Sequence, residues 1–294
     1  MINYYQKART NTEIFKQLFY KDLLFVYYDC PLGNTRQDRW SQYNYILYVV
    51  SGKKAYYTNT HSWVLTSGNA VFVKKGAYLV EKASEEDLCL MAFFLPDTYL
   101  CTFLAENRAL LKKEGNNTYE SDLVIPLEVN EMMLAFYESV IPYFHSSVKP
   151  PEDLLELKFR ELLFNIIGNP ANTELNNFLY NLILPQANSI QPVVESNYSY
   201  NLSLEAYAKL CNRSLSSFKR DFHTLYGESP ARWLLNKRLA LASRLLSNSN
   251  DPIVDISFES GFENSTHFSH AFKKHFGISP LNYRNKNSKP QQLD

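Results

Sequence analysis

A hydrophobic pattern occurs twice in the last third of the chain. The stretch FKRDFHTLYGESPARWL at 218–234 returns as FSHAFKKHFGISPLNYR at 268–284, fifty residues later. Aromatic residues recur at every fourth position in both copies, namely Phe218, Phe222 and Tyr226, then Phe268, Phe272 and Phe276. This spacing places them on one buried stripe of a helix. Gly227 and Gly277 then end the two helices, and a Ser-Pro pair after each glycine begins another helix.

A short amphipathic stretch precedes each copy of the repeat. The two stretches break at Asn212 and at Gly261, residues that tolerate left-handed backbone. Ser214 and Asn264 follow as the expected N-caps of the repeated helices. A short helix, a break and a longer helix make a helix-turn-helix unit.

The pattern therefore predicts two helix-turn-helix units, at about 205–226 and 254–277. Their second helices span 214–226 and 264–276. Residues 231–249 between the units contain no helix breaker, which predicts one rigid connecting helix of roughly 19 residues and about 28 Å. Neighbouring segments of one major groove recur about 34 Å apart along B-DNA, so one chain can read two of them.

The first two thirds of the chain has a different pattern. From about 22 to 96, β-branched and aromatic runs alternate with turn residues, which predicts an antiparallel sheet or barrel. From about 97 to 189 the pattern is helical. A helix at 152–168 is apolar on more than one side, so it is a core helix, a dimerisation helix or both. The dimerisation candidates on it are Leu155, Phe159, Leu162 and Leu163.

Residues from about 197 to 285 resemble the DNA-binding domain of the AraC/XylS family of bacterial transcription regulators. The stretch GFENSTHFSHAFKKHFGISPLNYR at 261–284 is similar to the second helix-turn-helix of that family nearly position for position. LTSGNAVFVKKGAYLV at 65–80 also resembles the strand-turn-strand of cupin barrels. The overall layout, with its ELLF helix, is similar to the subset that activates type III secretion genes.

The predicted fold class is α+β. We expect a cupin-like regulatory β-barrel at 1–96, a helical dimerisation region at 97–189 and an all-α, tandem helix-turn-helix DNA-binding domain at 190–288. A polar, disordered tail is expected at 289–294.

The distribution of charge favours nucleic acid as the partner of the repeat region. The whole chain has 30 basic and 30 acidic residues, but residues 196–294 hold 13 Lys and Arg against 8 Asp and Glu. An excess of this size suits a specific binder whose non-specific affinity is weak and sensitive to salt.

Helical geometry predicts which side chains face DNA, because they lie opposite the aromatic stripes. The candidate base-reading residues are Ser216, Lys219, Arg220 and His223 in the first unit and Ser265, Thr266, Ser269, His270 and Lys273 in the second. The family's base-reading positions fall on the same residues, apart from His223 and Lys273. The candidate phosphate contacts are Lys237, Arg238, Lys274 and Arg284.

The sequence offers little for catalysis or for a metal. His61 is the only histidine from 22 to 96, whereas a metal cupin needs a cluster of His and Glu, so we expect no metal and no other cofactor. The alternative function is a cupin-type sugar-binding module or enzyme with an attached helical domain. No signal peptide, membrane span or lipidation motif was found, so we expect a protein of the bacterial cytoplasm with no membrane partner.

The resemblance implies a transcription activator, not an enzyme, that binds double-stranded promoter DNA. It further implies contact with RNA polymerase, a homodimer, and control of the N-terminal domain by a small-molecule effector or an anti-activator protein.

Overall fold

The computed structural model describes residues 1–29, 36–58, 61–84, 86–111, 122–183 and 189–287. The chain divides into two compact units, Met1–Asn188 and Ser189–Asp294. The predicted tail at 289–294 lies outside the described residues.

The first unit contains two sheets. Its strands are β1 (Ile2–Asn3), β2 (Lys16–Tyr20), β3 (Leu23–Asp29), β4 (Gln37–Ser41), β5 (Asn44–Ser51), β6 (Lys53–Tyr57), β7 (Ser62–Thr66), β8 (Ala70–Val73), β9 (Gly76–Lys82), β10 (Cys89–Leu95) and β11 (Val124–Leu127). One sheet has the order β1-β4-β9-β6-β7 and the other the order β11-β8-β5-β10-β3-β2.

Strand β10 lies inside the larger sheet, and all seven of its residues are buried. Leu90, Ala92 and Phe94 belong to the core between the sheets. Met91 and Phe93 belong to a second core under the helices of this unit. Because both faces of this sheet are covered, its central strand is apolar throughout instead of alternating.

The two sheets correct the expectation of a closed β-barrel. Each described sheet ends in edge strands, β1 and β7 in the smaller and β11 and β2 in the larger, and no strand is shared. The prediction of strands from 22 to 96 is confirmed. Two further strands precede residue 22, and β11 lies within the part that was predicted to be helical.

The core between the sheets contains polar groups that the hydrophobic pattern did not reveal. The Tyr45 hydroxyl lies 3.1 Å from that of Tyr56 and 2.8 Å from that of Tyr78. Arg39 and Lys54 are buried, and their charged groups lie 5.2 and 5.6 Å from the centre of the Tyr4 ring. Such contacts between cations and aromatic faces are attractive.

Helices cover the larger sheet. They are α2 (Asp97–Glu106), α3 (Glu131–His145), α4 (Glu152–Ile167) and α5 (Thr173–Leu182), while α1 (Tyr4–Thr10) lies near the start of the chain.

The four dimerisation candidates lie on the inner side of α4. Leu155, Phe159, Leu162 and Leu163 are all buried within this unit, and the Phe159 ring stacks on Phe25 with 3.9 Å between ring centres. The burial of these four residues agrees with the interpretation of α4 as a core helix, and a dimer contact through them stays a prediction.

The second unit is helical. Its helices are α6 (Gln191–Asn197), α7 (Leu204–Leu210), α8 (Leu215–Tyr226), α9 (Pro230–Asn248), α10 (Ile253–Glu259), α11 (Ser265–Phe276) and α12 (Pro280–Asn287). Helix α9 has 19 residues, as predicted for the connecting helix.

Candidate DNA-binding surface

The first helix-turn-helix unit has the predicted turn and caps. Asn212 adopts a left-handed conformation with a φ of 53° between α7 and α8. The Ser214 hydroxyl accepts a hydrogen bond of 3.2 Å from the Ser217 amide and so caps α8. Gly227 ends α8 with a φ of 70°. These local signals fix where the exposed face of α8 begins and ends.

The second unit repeats this arrangement with different residues. Gly261 has a φ of 85° between α10 and α11. The Asn264 side-chain oxygen accepts a hydrogen bond of 2.7 Å from the His267 amide. Gly277 ends α11 with a φ of 81°.

The aromatic stripes hold both second helices in place. Phe218, Phe222, Phe268 and Phe272 are buried. The Phe222 ring packs 5.7 Å from Trp233 of α9, between ring centres, and Phe272 packs 5.2 Å from Tyr283 of α12. The opposite faces of α8 and α11 are therefore turned away from the core, as predicted.

The outward face of α8 carries its four candidate base readers. Ser216, Lys219, Arg220 and His223 are exposed, and 75% of the Arg220 side chain is accessible. Lys219 and His223 border a shallow groove of about 390 Å³. The remaining residues of the groove are Leu204, Ser229, Pro230 and Ala231, so it lies between α8 and the starts of α7 and α9.

The outward face of α11 offers fewer strong hydrogen-bond donors than that of α8. Thr266, His270 and Lys273 are exposed, whereas Ser265 and Ser269 are half-buried. None of these five side chains offers two parallel N–H donors as an arginine does.

The four phosphate candidates fall into different environments. Lys237 and Lys274 are exposed, and the Lys237 ammonium lies 5.0 Å from the centre of the Trp233 ring. Arg284 is half-buried and donates to the Asp251 carbonyl at 2.6 Å.

Arg238, the fourth phosphate candidate, is half-buried and bonded to the backbone. Its guanidinium donates to the carbonyls of Tyr198 and Tyr200, both at 2.8 Å, and burial lowers the pKa of the group. A Cβ placed on Gly261 would lie 3.0 Å from the Arg238 Nε and 2.7 Å from the Ser199 carbonyl oxygen. Arg238 therefore joins α9 to the segment before α7 at the point where the turn of the second unit packs against both.

Two residues beside the α8 face were not singled out from the sequence. Asp221 is 35% accessible, and its carboxylate lies 3.2 Å from the Nε of Arg213 and 3.6 Å from the Nε of Arg220. Helical spacing put Asp221 off the outward face, and Arg213 belongs to the turn, so the periodic pattern gave no signal for the pair.

No metal-binding cluster is found in the described ranges: no three His, Cys, Asp or Glu side chains are grouped so that they could hold an ion. The expectation that the protein has no cofactor stays a prediction.

Among the helices that the structure describes, none is both long and apolar enough to span a membrane.

Two protein-family models match parts of this chain. A family model described as a helix-turn-helix domain matches residues 207–286, and one described as the ExsA N-terminal regulatory domain matches residues 44–178. The chain combines an AraC-type helix-turn-helix domain with an ExsA-type N-terminal regulatory domain. It is 27% identical over 239 residues to the thermoregulatory protein LcrF of Yersinia pestis, with 81% of this chain and 88% of the relative covered.

Two further relatives are also transcription regulators. The virulence regulon transcriptional activator VirF of Yersinia enterocolitica is 26% identical over 239 residues, covering 81% of this chain and 88% of VirF. The transcriptional regulator ExsA of Pseudomonas aeruginosa is 27% identical over 232 residues, covering 76% of this chain and 79% of ExsA. Together with the helix-turn-helix match, these relatives identify the protein as a DNA-binding transcription regulator and not the enzyme considered as the alternative.

Proposed function

We propose that this regulator activates transcription by placing α8 and α11 in two successive major-groove segments of promoter DNA. The observation that carries the proposal is the repeated geometry: two helices with matched caps and buried aromatic stripes, joined by a continuous helix of 19 residues. A straight helix of that length is about 28 Å long, close to the roughly 34 Å repeat of one groove.

Each proposed contact has a defined role. Arg220 offers two N–H donors to a guanine edge, while Lys219 and the hydroxyl and imidazole groups make single contacts to bases or phosphates. The proposed base readers are Ser216, Lys219, Arg220 and His223 on α8 and Ser265, Thr266, Ser269, His270 and Lys273 on α11. The proposed phosphate contacts are Lys237 and Lys274, whose side chains are exposed. Arg284 is a weaker candidate because it already donates to the Asp251 carbonyl.

The role as an activator follows from the relatives. VirF is named a transcriptional activator, and it covers most of this chain. We extend this to contact with RNA polymerase, the partner that an activator must recruit. The ELLF helix resembles that of type III secretion activators, and it lies inside the 44–178 match. This supports the proposal that the regulator belongs to the subset that activates type III secretion genes. A protein that reads promoters works where the chromosome is, so we place it in the bacterial cytoplasm.

The first unit is proposed as the control domain. Its two facing sheets support a cupin-like architecture, although the sheets are open. The tyrosine hydroxyls between the sheets bond to each other, which favours an anti-activator protein over a small-molecule effector as the controlling partner.

Dimerisation is proposed through the outward side of α4, not through its buried side. Leu157 is 62% accessible, and Phe164, two turns later, is also exposed. Leu154 and Glu161 lie on the same side, at the 3-4 spacing of a helix-to-helix seam. The occupant we propose is the same helix of a second copy.

Genome-wide footprinting combined with transcription from the bound promoters tests the proposed function. We expect protected sites upstream of promoters, with each site spanning two groove segments on one face of the duplex, and higher transcription when the protein is present. Sites inside genes with no effect on transcription would contradict the role of activator.

A further inference from the structure

An acidic residue stands directly beside the reading arginine. Asp221 follows Arg220 on α8, and its carboxylate is partly accessible. A carboxylate near DNA is repelled by the phosphates, so it weakens binding unless it has a role in the complex.

The Asp221 carboxylate holds a different guanidinium on each of its two oxygens. Its Oδ2 lies 3.2 Å from the Nε of Arg213, whose side chain is 30% accessible, and accepts from the Ser217 hydroxyl at 3.4 Å. Its Oδ1 lies 3.6 Å from the Nε of Arg220. A terminal nitrogen of Arg220 also donates to the Ser217 hydroxyl at 3.3 Å. The Arg220 side chain is thus turned toward Ser217 and Asp221.

We propose that Asp221 is a specificity-determining residue that positions Arg220 for guanine. Arg213 fixes the carboxylate from the turn, and the carboxylate engages the Nε of Arg220. The outer N–H groups on the two terminal nitrogens then remain for the O6 and N7 of one guanine. A long side chain loses less entropy on binding when it is already oriented, so the preference for guanine increases. This inference rests on the proposed function of α8.

The second unit has different residues at the three equivalent positions, and this difference supports the assignment. At an offset of fifty residues, His270 stands in place of Arg220 and Ala271 in place of Asp221. Glu263 stands in place of Arg213. The acidic residue is therefore present on α8, which carries the reading arginine. It is absent from α11, where a histidine occupies that position.

The test uses the full chain and a duplex library with a random central region. Wild-type protein first selects its site, and the Arg220→Ala variant identifies the guanine that Arg220 reads. We expect Asp221→Asn to lower the preference for that guanine on the order of tenfold, toward the low end of what a bidentate contact supplies. Affinity for random-sequence DNA should stay equal or rise, because a negative charge is removed. Asp221→Glu should restore part of the preference.

Two controls separate positioning from general effects. Glu228→Gln removes another acid of this unit, one that pairs with Arg232 at 3.4 Å, and should leave base preference unchanged. In the Arg220→Ala background, Asp221→Asn should have no further effect at the same base pair. Thermal unfolding of each variant establishes that it is folded.

Three results would overturn the proposal. They are an unchanged preference in a folded Asp221→Asn variant, an equal loss in the Arg220→Ala background, or an equal loss of preference at every position. The second result would mean that Asp221 reads a base itself. If wild-type protein selected no site at all, the proposed function would fail, and this outcome is distinguishable from the other three.

Discussion

At the residue scale, the two reading helices differ in chemistry. Arg220 offers a bidentate fork, whereas His270, at the equivalent position of α11, offers single contacts. We predict that Arg220→Ala weakens specific binding by about 1–3 kcal/mol and relaxes preference at one base pair. His270→Ala should cost less and change the preferred site less. Site selection from random DNA with both variants measures this.

Arg232 provides a matched control for Arg220. The two arginine side chains are equally accessible, at 75%, but Arg232 lies on α9 beside Glu228. Arg232→Ala should weaken binding to all sequences alike, if at all, without changing base preference. A larger shift in the preferred site for His270→Ala than for Arg220→Ala would reverse our ranking of the helices.

Two neighbouring basic residues on α9 should respond to substitution in opposite ways. Arg238→Ala removes the donor to two backbone carbonyls, so we expect the free energy of unfolding to fall by about 1–3 kcal/mol. Lys237→Ala leaves the fold intact and should lower the salt dependence of DNA binding by about one phosphate contact. Urea unfolding and binding titrations at several salt concentrations measure these effects. An equally destabilised Lys237→Ala variant would contradict the distinction.

The caps were predictable at this scale and Arg238 was not. Ser214, Asn264 and the glycines signal their roles within three or four residues of sequence, because a cap bonds to its own helix. Arg238 meets carbonyls some forty residues away in the chain, and helical periodicity carries no information about such partners.

At the element scale, the sequence predicted the helices and strands better than how they assemble. The repeat placed α8, α9 and α11 because period and caps agree there. Sheet closure depends on pairing between distant strands. The central position of β10 in its sheet could not be predicted either. A short, wholly apolar run is compatible with a buried strand or with part of a buried helix.

Helix α4 allows a test of its two sides. Leu162 is fully buried, so Leu162→Asp should place an uncompensated charge in the core and lower the free energy of unfolding by at least about 3 kcal/mol. Leu157 is exposed, so Leu157→Asp should fold normally and weaken the proposed dimer. Thermal unfolding and sedimentation analysis measure the two outcomes. A folded Leu157→Asp protein with undiminished dimerisation would place the interface elsewhere.

At the scale of the whole molecule, the charge is divided unevenly. The region from 196 onward is net basic, and it lies within the compact unit that begins at Ser189. We predict that a fragment of residues 190–290 binds DNA alone, with affinity falling more than about tenfold between 50 and 200 mM salt. The matched fragment 1–188 should not bind. If the affinity of the basic fragment did not change with ionic strength, the proposed electrostatic contribution to binding would be contradicted.

The central claim is that α8 and α11 of one chain read two successive major-groove segments. Mapping the guanines whose N7 methylation interferes with binding tests it directly, since that atom faces the major groove. We predict two clusters of interference about 10 base pairs apart on one face of the duplex, with the stronger cluster lost in Arg220→Ala. A single cluster, or two clusters that both persist unchanged in Arg220→Ala, would contradict the claim.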